Sequence, residues 1–265
     1  MKLTRPGEVI ELLRQLDFQP KKSLGQNFLI DGNILNRIVD TSGACEGEHI
    51  LEIGPGLGVL TEALLARGVT LSAVEKDEAL ADWLKHRFDV DINLVVGDAV
   101  AQNYPEWVHD HGVKRVVSNL PYSVGSRILF DLFHEKARPE TITVTVQLDV
   151  ADRLVAPPGN KQYGILGIVA QAAYEVERVK VIGPRCFYPP PRVKSAVVHF
   201  KRRETPIVPD ASGDRFRAVV KKCFAQRRKQ IKSLLSEEEI ARISDLDVQR
   251  RPETLSIEEW AMLAG

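Results

Sequence analysis

Cysteine is scarce in this 265-residue chain. Cys45, Cys186 and Cys223 are odd in number, widely spaced and without a C-x-x-C pair, which argues against a disulfide framework or a structural zinc site and suits a reducing compartment. Long apolar runs are also missing. No stretch is long enough to span a bilayer and the N-terminus lacks a signal-peptide apolar region, so a cytoplasmic protein is expected. The six histidines form no H-x-x-H set, and no metal site is expected. Net charge is absent as well: 36 Lys and Arg balance 36 Asp and Glu, so the total carries no information about a polyanionic partner. Its distribution does. Between Arg192 and Lys232 thirteen basic residues stand against Glu204, Asp210 and Asp214, whereas Glu46 to Asp110 is acidic. Internal repeats and low-complexity tracts are absent.

What is present is an alternation of strand-like and helix-like segments, which implies an α/β fold with a mostly parallel sheet. His49–Ile53, Leu71–Glu75, Ile92–Val96, Arg115–Ser118 and Thr141–Val146 read as successive buried strands. Val59 to Arg67 has helical spacing, and Asp77 is placed to cap a helix through about Phe88. Glu175–Ile182 and Val193–Phe200 follow one another with only a Pro-rich loop between, which predicts an antiparallel pair at one edge. After Arg203 a linker, Thr205-Pro-Ile-Val-Pro209, leads to short amphipathic helices. The expected division is therefore residues 1–204, with an N-terminal segment 1–32 closing on the site, and a helical unit at 205–265.

Glu52-Ile-Gly54-Pro-Gly56-Leu-Gly58 lies between a strand and a helix, where open α/β sheets bind ligands. A dinucleotide fingerprint would need a glycine at the position of Val59, and no G-K-[ST] follows for a phosphate loop. The turn better suits a nucleoside carrying an amino-acid tail. Glu75 ends the next strand and Asp98 the one after it. Singly each reads as a capping carboxylate; together, at successive strand ends, they suit the ribose hydroxyls and the adenine amine of such a nucleoside, and acidic walls favour a sulfonium cation over a pyrophosphate.

The fourth strand ends in Asn119-Leu120-Pro121-Tyr122. An exocyclic amine on a base is a poor nucleophile because its lone pair is delocalised into the ring, so alkylating it calls for acceptors on the amino hydrogens. Asn119 supplies a side-chain oxygen and Leu120 a main-chain one. Pro121 has no N–H, and Tyr122 can lie flat on an extruded base.

Lys22-Ser-Leu-Gly-Gln-Asn-Phe-Leu29, Leu51-Glu-Ile-Gly-Pro-Gly-Leu-Gly58, Gly97-Asp-Ala99, Asn119-Leu-Pro-Tyr122 and Phe187-Tyr-Pro-Pro-Pro-Arg-Val-Lys-Ser-Ala-Val197 resemble, in order and spacing, the signatures of the ribosomal RNA adenine dimethyltransferase family (KsgA type). Arg227-Arg-Lys229 and Glu253-Thr-Leu-Ser256 resemble that family's C-terminal part. The resemblance implies a class I, Rossmann-like methyltransferase sheet with a small all-α C-terminal domain. It also implies S-adenosylmethionine as methyl donor, and as substrate two adjacent adenosines in a hairpin loop near the 3′ end of small-subunit ribosomal RNA within an assembling particle. By this likeness Gln26, Asn27, Leu29, Gly54, Gly56, Glu75, Lys76, Asp98, Ala99 and Asn119 hold the cofactor. Asn119 and Leu120 hold the target amine, and Tyr122 and Phe187 sandwich its base.

Arg215, Lys221, Lys222, Arg227, Arg228 and Lys229 read as RNA-phosphate contacts, against the plain alternative of a solvated helical face. The chain departs from the family's pattern at Ser23-Leu24, Leu148 and Lys194, none of which touches the glycine or Asn-Leu-Pro-Tyr motifs. Two other readings share many of these features: a large-subunit adenine methyltransferase of the macrolide-resistance type, and a non-catalytic RNA-binding assembly factor.

Overall fold

The computed structural model describes residues 2–241, 243 and 246–264. Its frame is a seven-stranded sheet whose central strands are apolar on both faces, as strands covered by helices on both sides must be. In chain order the strands are β1 (Phe28–Leu29), β2 (His49–Ile53), β3 (Thr70–Glu75), β4 (Ile92–Val96), β5 (Arg115–Asn119), β6 (Thr141–Gln147), β7 (Tyr174–Ile182), β8 (Phe187–Tyr188) and β9 (Ser195–Arg202). The main sheet has the order β4-β3-β2-β5-β6-β9-β7, while β1 and β8 form a separate two-stranded ribbon. β9 pairs antiparallel with both neighbours. The reversed strand therefore lies one in from the edge, and the edge strand β7 runs with the rest; the expected antiparallel edge pair is present with that difference.

The helices are α1 (Pro6–Gln15), α2 (Gly32–Ser42), α3 (Val59–Leu65), α4 (Glu78–Phe88), α5 (Tyr104–His109), α6 (Gly125–Leu132), α7 (Leu148–Leu154), α8 (Ile165–Ala173), α9 (Gly213–Phe224), α10 (Glu237–Ala241) and α11 (Ile257–Met262). Asp77 caps α4 by accepting from the Ala79 and Leu80 amides, and Asp31 does the same for α2. No helix among the described residues is long and apolar enough to cross a membrane.

Among the described residues, the segment after β9 shares its core with the sheet. Phe133, Tyr174 and Phe200 stack with centroids 5.1–6.0 Å apart, and the same apolar cluster continues through Phe216, Val219 and Val220 of α9 to Trp260 of α11. Phe224 meets Trp260 at 5.8 Å and Tyr163 at 6.3 Å. The Tyr163 hydroxyl donates to the Leu255 carbonyl at 2.8 Å, and the Gly159 amide to the Glu253 carbonyl at 2.7 Å. The chain changes character near residue 204, but the helices beyond share one interior with the sheet.

α8 lies so close to α7 that a Cβ on Gly167 would fall 2.3 Å from the Arg153 carbonyl oxygen. Gly167→Ala is expected to destabilise the chain by about 1–3 kcal/mol through forced separation of the two helices. Denaturant unfolding measures this; an unchanged midpoint would show that the pair can separate without cost.

Candidate active site

β2 ends at Ile53 and the backbone then turns through Gly54, Gly56 and Gly58 with φ of 69°, 61° and 87°. This left-handed path favours glycine, and close approach demands it too: a Cβ on Gly54 would lie 3.2 Å from Pro121 Cγ, and one on Gly56 3.0 Å from the Phe28 ring. The turn thus touches both the Asn-Leu-Pro-Tyr segment and the N-terminal segment. Between the three lies a cavity of about 250 Å³, walled by residues 23–29, 52–57, 74–76, 97–99 and 119–124.

One wall is acidic. Glu75 is buried; its two carboxylate oxygens accept from the Gly56 amide at 3.1 Å and the Asp77 amide at 2.9 Å. Burial raises its pKa, opposed by those amides, and each oxygen keeps a second lone pair. Asp98 ends the strand-loop beyond β4. It caps the following turn through the Val100 amide at 2.9 Å and pairs with Lys76 Nζ at 2.7 Å. The Lys76 ammonium holds its carboxyl below the usual range.

Behind the glycine turn, Glu52 accepts from the Thr61 hydroxyl at 2.7 Å and is fully enclosed. Burial pushes it up from 4.5 to about 8. The buried carboxyl keeps its proton where the unfolded chain has already lost it. Its stabilising contribution is full below about pH 4.5 and is lost as pH rises toward 8. Glu52→Gln is therefore expected to flatten the fall of the thermal midpoint across that window. Parallel pH profiles for the two chains would contradict this.

The opposite wall is polar and centred on Asn119. Its Nδ2 donates to the Asn27 carbonyl at 3.0 Å, which fixes the orientation of the amide. Its Oδ1 is then buried with no partner among the described residues. Thr145 stands opposite Asn119 in register, and its Oγ1 is also buried and unpartnered. A buried amide oxygen without a partner is costly unless a donor arrives. The Pro121 carbonyl is taken by the Val124 and Gly125 amides, and the Leu120 carbonyl sits one residue upstream of that cap. Tyr122 lines the cavity with its hydroxyl bonded to Ser195 Oγ on β9.

The N-terminal segment closes over these walls. Gly25 packs on the Tyr122 backbone. Lys21 Nζ reaches Asp77 Oδ2 at 2.7 Å, and Gln26 Nε2 donates to the same oxygen at 3.3 Å. Gln26, Asn27, Leu29, Gly54, Gly56, Glu75, Lys76, Asp98, Ala99, Asn119, Leu120 and Tyr122 thus face one cavity.

Phe187 does not join them. It pairs with Leu29 in the β1–β8 ribbon, is 2 % exposed, and packs with Ile38, Val117 and Val197 rather than on the cavity wall. Among the described residues it is not part of the lining of this cavity. Of the six basic residues expected to meet RNA, Lys222 is tied to Glu239 at 2.7 Å and Arg227 to Glu253 at 2.6 Å. Lys221, Arg228 and Lys229 are exposed, and Arg215 is half-buried.

Sequence reasoning assigned no role to Glu52, Thr145 or Ser195. Glu52 could have been found from its place at the end of β2, but the other two become notable only through strand register. Nor did spacing reveal His134, Glu135 and Asp214, whose ligand atoms lie within 4.8 Å of one another; Arg217 bonds both carboxylates, Glu135 at 2.6 Å and Asp214 at 2.9 Å. Cys186 donates to Asp31 at 3.4 Å and burial raises its pKa, as befits a packing role.

The ribosomal RNA small subunit methyltransferase A of Prosthecochloris aestuarii is 39% identical over 244 residues, 92% of each chain. That of Brucella canis is 36% identical over 265 residues, covering 96% of this chain and 95% of its own. Among solved structures, a dimethyladenosine transferase from Plasmodium falciparum superposes with a TM-score of 0.76 at 20% identity, covering 89% of this chain and 95% of that one. The 23S rRNA methyltransferase ErmE gives 0.66 at 24% identity, covering 89% and 98%. These two share the fold. Residues 17–263 match the ribosomal RNA adenine dimethylase family, and with that coverage the chain belongs to it.

Proposed function

We propose that this chain transfers methyl groups from S-adenosylmethionine to the exocyclic N6 of two adjacent adenosines in a hairpin loop near the 3′ end of small-subunit ribosomal RNA. The product is dimethyladenosine, and the reaction takes place on an assembling particle in the cytoplasm. The observation that carries this reading is the buried, unpartnered Asn119 Oδ1, an acceptor awaiting a donor at the wall of a nucleoside-sized cavity. The names of the relatives at 36–39% identity support the same reaction and RNA.

The residues present fit the cofactor. The left-handed glycine turn would admit its amino-acid tail, Glu75 would take the ribose hydroxyls, and Asp98 with Ala99 the adenine. Asp98 spends one lone pair of each oxygen on Val100 and Lys76, and the second lone pairs would remain for the adenine amine. Bound there, the sulfonium supplies an electrophilic methyl group. What remains for the protein is alignment, which by itself accounts for much of such a barrier.

Asn119 Oδ1 and the Leu120 carbonyl would each accept one amino hydrogen, localising the nitrogen lone pair toward the methyl. Tyr122 would stack on the extruded base, returning about 1–3 kcal/mol against an unstacking cost of a few kcal/mol. The same acceptors would offset positive charge developing on the nitrogen, and its proton would leave to water without a general base. After the first transfer one hydrogen remains, so the second relies on a single acceptor.

Nuclease mapping of label tests the reading. Incorporation of four methyl groups per small subunit, all in the 3′-terminal hairpin, is the expected result; label spread over other fragments would overturn the assignment of the target.

A further inference from the structure

Ser195 is a fully buried polar residue at the start of β9. It stands opposite Gln147 of β6 and Ile182 of β7. Period-2 alternation puts its side chain on the same face as Val197, whose register partner is Thr145, itself opposite Asn119. The Ser195 hydroxyl bonds to that of Tyr122. The Tyr122 side chain, starting just beyond β5, thus crosses the end of β6 to reach β9, and its ring lies along the cavity wall.

We infer that Ser195 is a positioning residue for the target base: its hydroxyl pins the tip of the Tyr122 ring, so that the ring is held at a set distance beside Asn119. This deepens the proposed methyl-transfer reading and rests on it. The ring is held at two places. At its root, Gly25 sits so close that a Cβ there would be 3.0 Å from the Tyr122 amide nitrogen, which blocks the backbone from rising. At its tip, the hydrogen bond restrains the swing about χ1 that an aromatic side chain otherwise keeps. An aromatic ring whose root and tip are both placed cannot swing toward or away from the acceptors. A ring fixed at the root alone would still stack but would let the amine drift from the acceptors, and methyl transfer is sensitive to such drift.

Ser195→Ala, Tyr122→Phe and the double variant make the test, with single-turnover methylation of undermethylated small subunits at saturating S-adenosylmethionine as the readout. Subunit affinity, S-adenosylhomocysteine affinity and thermal midpoint are measured in parallel. Each single variant is expected to slow the single-turnover step about 5- to 10-fold, the loss of one hydrogen bond. The double variant should be no slower than either single, because both remove the same bond. Cofactor affinity and midpoint should stay at the unaltered chain's values.

Losses that multiply in the double variant, or an unaffected rate, overturn the inference while leaving methyl transfer intact. A slowed Ser195→Ala whose midpoint or cofactor affinity has also fallen assigns the hydroxyl to packing and overturns it too. Absence of dimethyladenosine from the unaltered chain overturns both this inference and the reading beneath it.

Discussion

Replacing Asn119 by alanine is expected to slow methyl transfer by about 10²- to 10³-fold, the range found when one preorganised hydrogen-bonding group is removed from a transition-state site. The expectation follows from two bonds on one side chain. Nδ2 is already committed to the Asn27 carbonyl at 3.0 Å, so the amide cannot flip to satisfy its oxygen elsewhere. Oδ1 is buried and unpartnered, and its proposed partner is the amine as positive charge develops on nitrogen. Alanine removes the acceptor and also the tie to the N-terminal segment. Some weakening of cofactor binding is therefore expected, whereas RNA affinity should hold. Asn119→Asp is the sharper comparison: it keeps the acceptor but loses the donor to Asn27. Its rate should recover only in part, with weaker cofactor binding. Equal losses of catalysis and RNA affinity in the alanine variant would show that the residue has been misplaced.

A triple replacement, Arg227→Ala with Arg228→Ala and Lys229→Ala, is expected to weaken binding of small-subunit RNA by about 10²-fold and to lessen the salt dependence. Removing one phosphate-neutralising cation reduces the slope of log K against log salt by about 0.7–0.9. The three residues are not equivalent. Arg227 is held by Glu253 at 2.6 Å and reaches the Lys161 carbonyl, so its charge is partly neutralised and the slope should fall by about 1.5–2 rather than by the full value for three free cations. The same pairing stitches the 157–163 loop to the C-terminal segment, so Arg227→Ala alone should lower the thermal midpoint more than Arg228→Ala does. Methyl transfer at saturating RNA should survive. An unchanged salt slope would assign all three to a solvated face.

The sheet could be read from sequence because strands buried on both faces leave continuous apolar runs, and β2 to β6 begin and end within a residue or two of those runs. Reading failed where pairing is purely tertiary. The β1 and β8 strands have two residues each, too few for any periodicity, yet their ribbon decides where Phe187 points. That is why the motif containing Phe187 was legible while the place of its ring was not. The reversal of β9 was expected, but its insertion between β6 and β7 depends on a crossover that the Pro-rich loop does not reveal.

The site divides in the same way. Glu75, Asp98 and Asn119 announce themselves at strand ends. The bonds that occupy them join Lys76 to Asp98 and Gly56 to Glu75 through space, and Lys21 reaches Asp77 across 56 positions. Thr145 and Ser195 look like ordinary strand residues until register sets the first beside Asn119 and a hydrogen bond ties the second to Tyr122. The basic run shows the converse: a linear count of charges overstates what is unpaired, because Arg217, Lys222 and Arg227 are bound to carboxylates.

The central claim is adenine dimethylation of small-subunit RNA by a donor bound in this cavity. It is tested most directly by supplying methyl-labelled S-adenosylmethionine to undermethylated small subunits, to large subunits and to free RNA, followed by nucleoside analysis. Labelled dimethyladenosine in the small-subunit sample alone is the predicted result, and it should be lost in Asn119→Ala. Label in the large subunit would point instead to a resistance-type enzyme, and tight particle binding without any label would leave only an RNA-binding assembly factor; either would contradict the account.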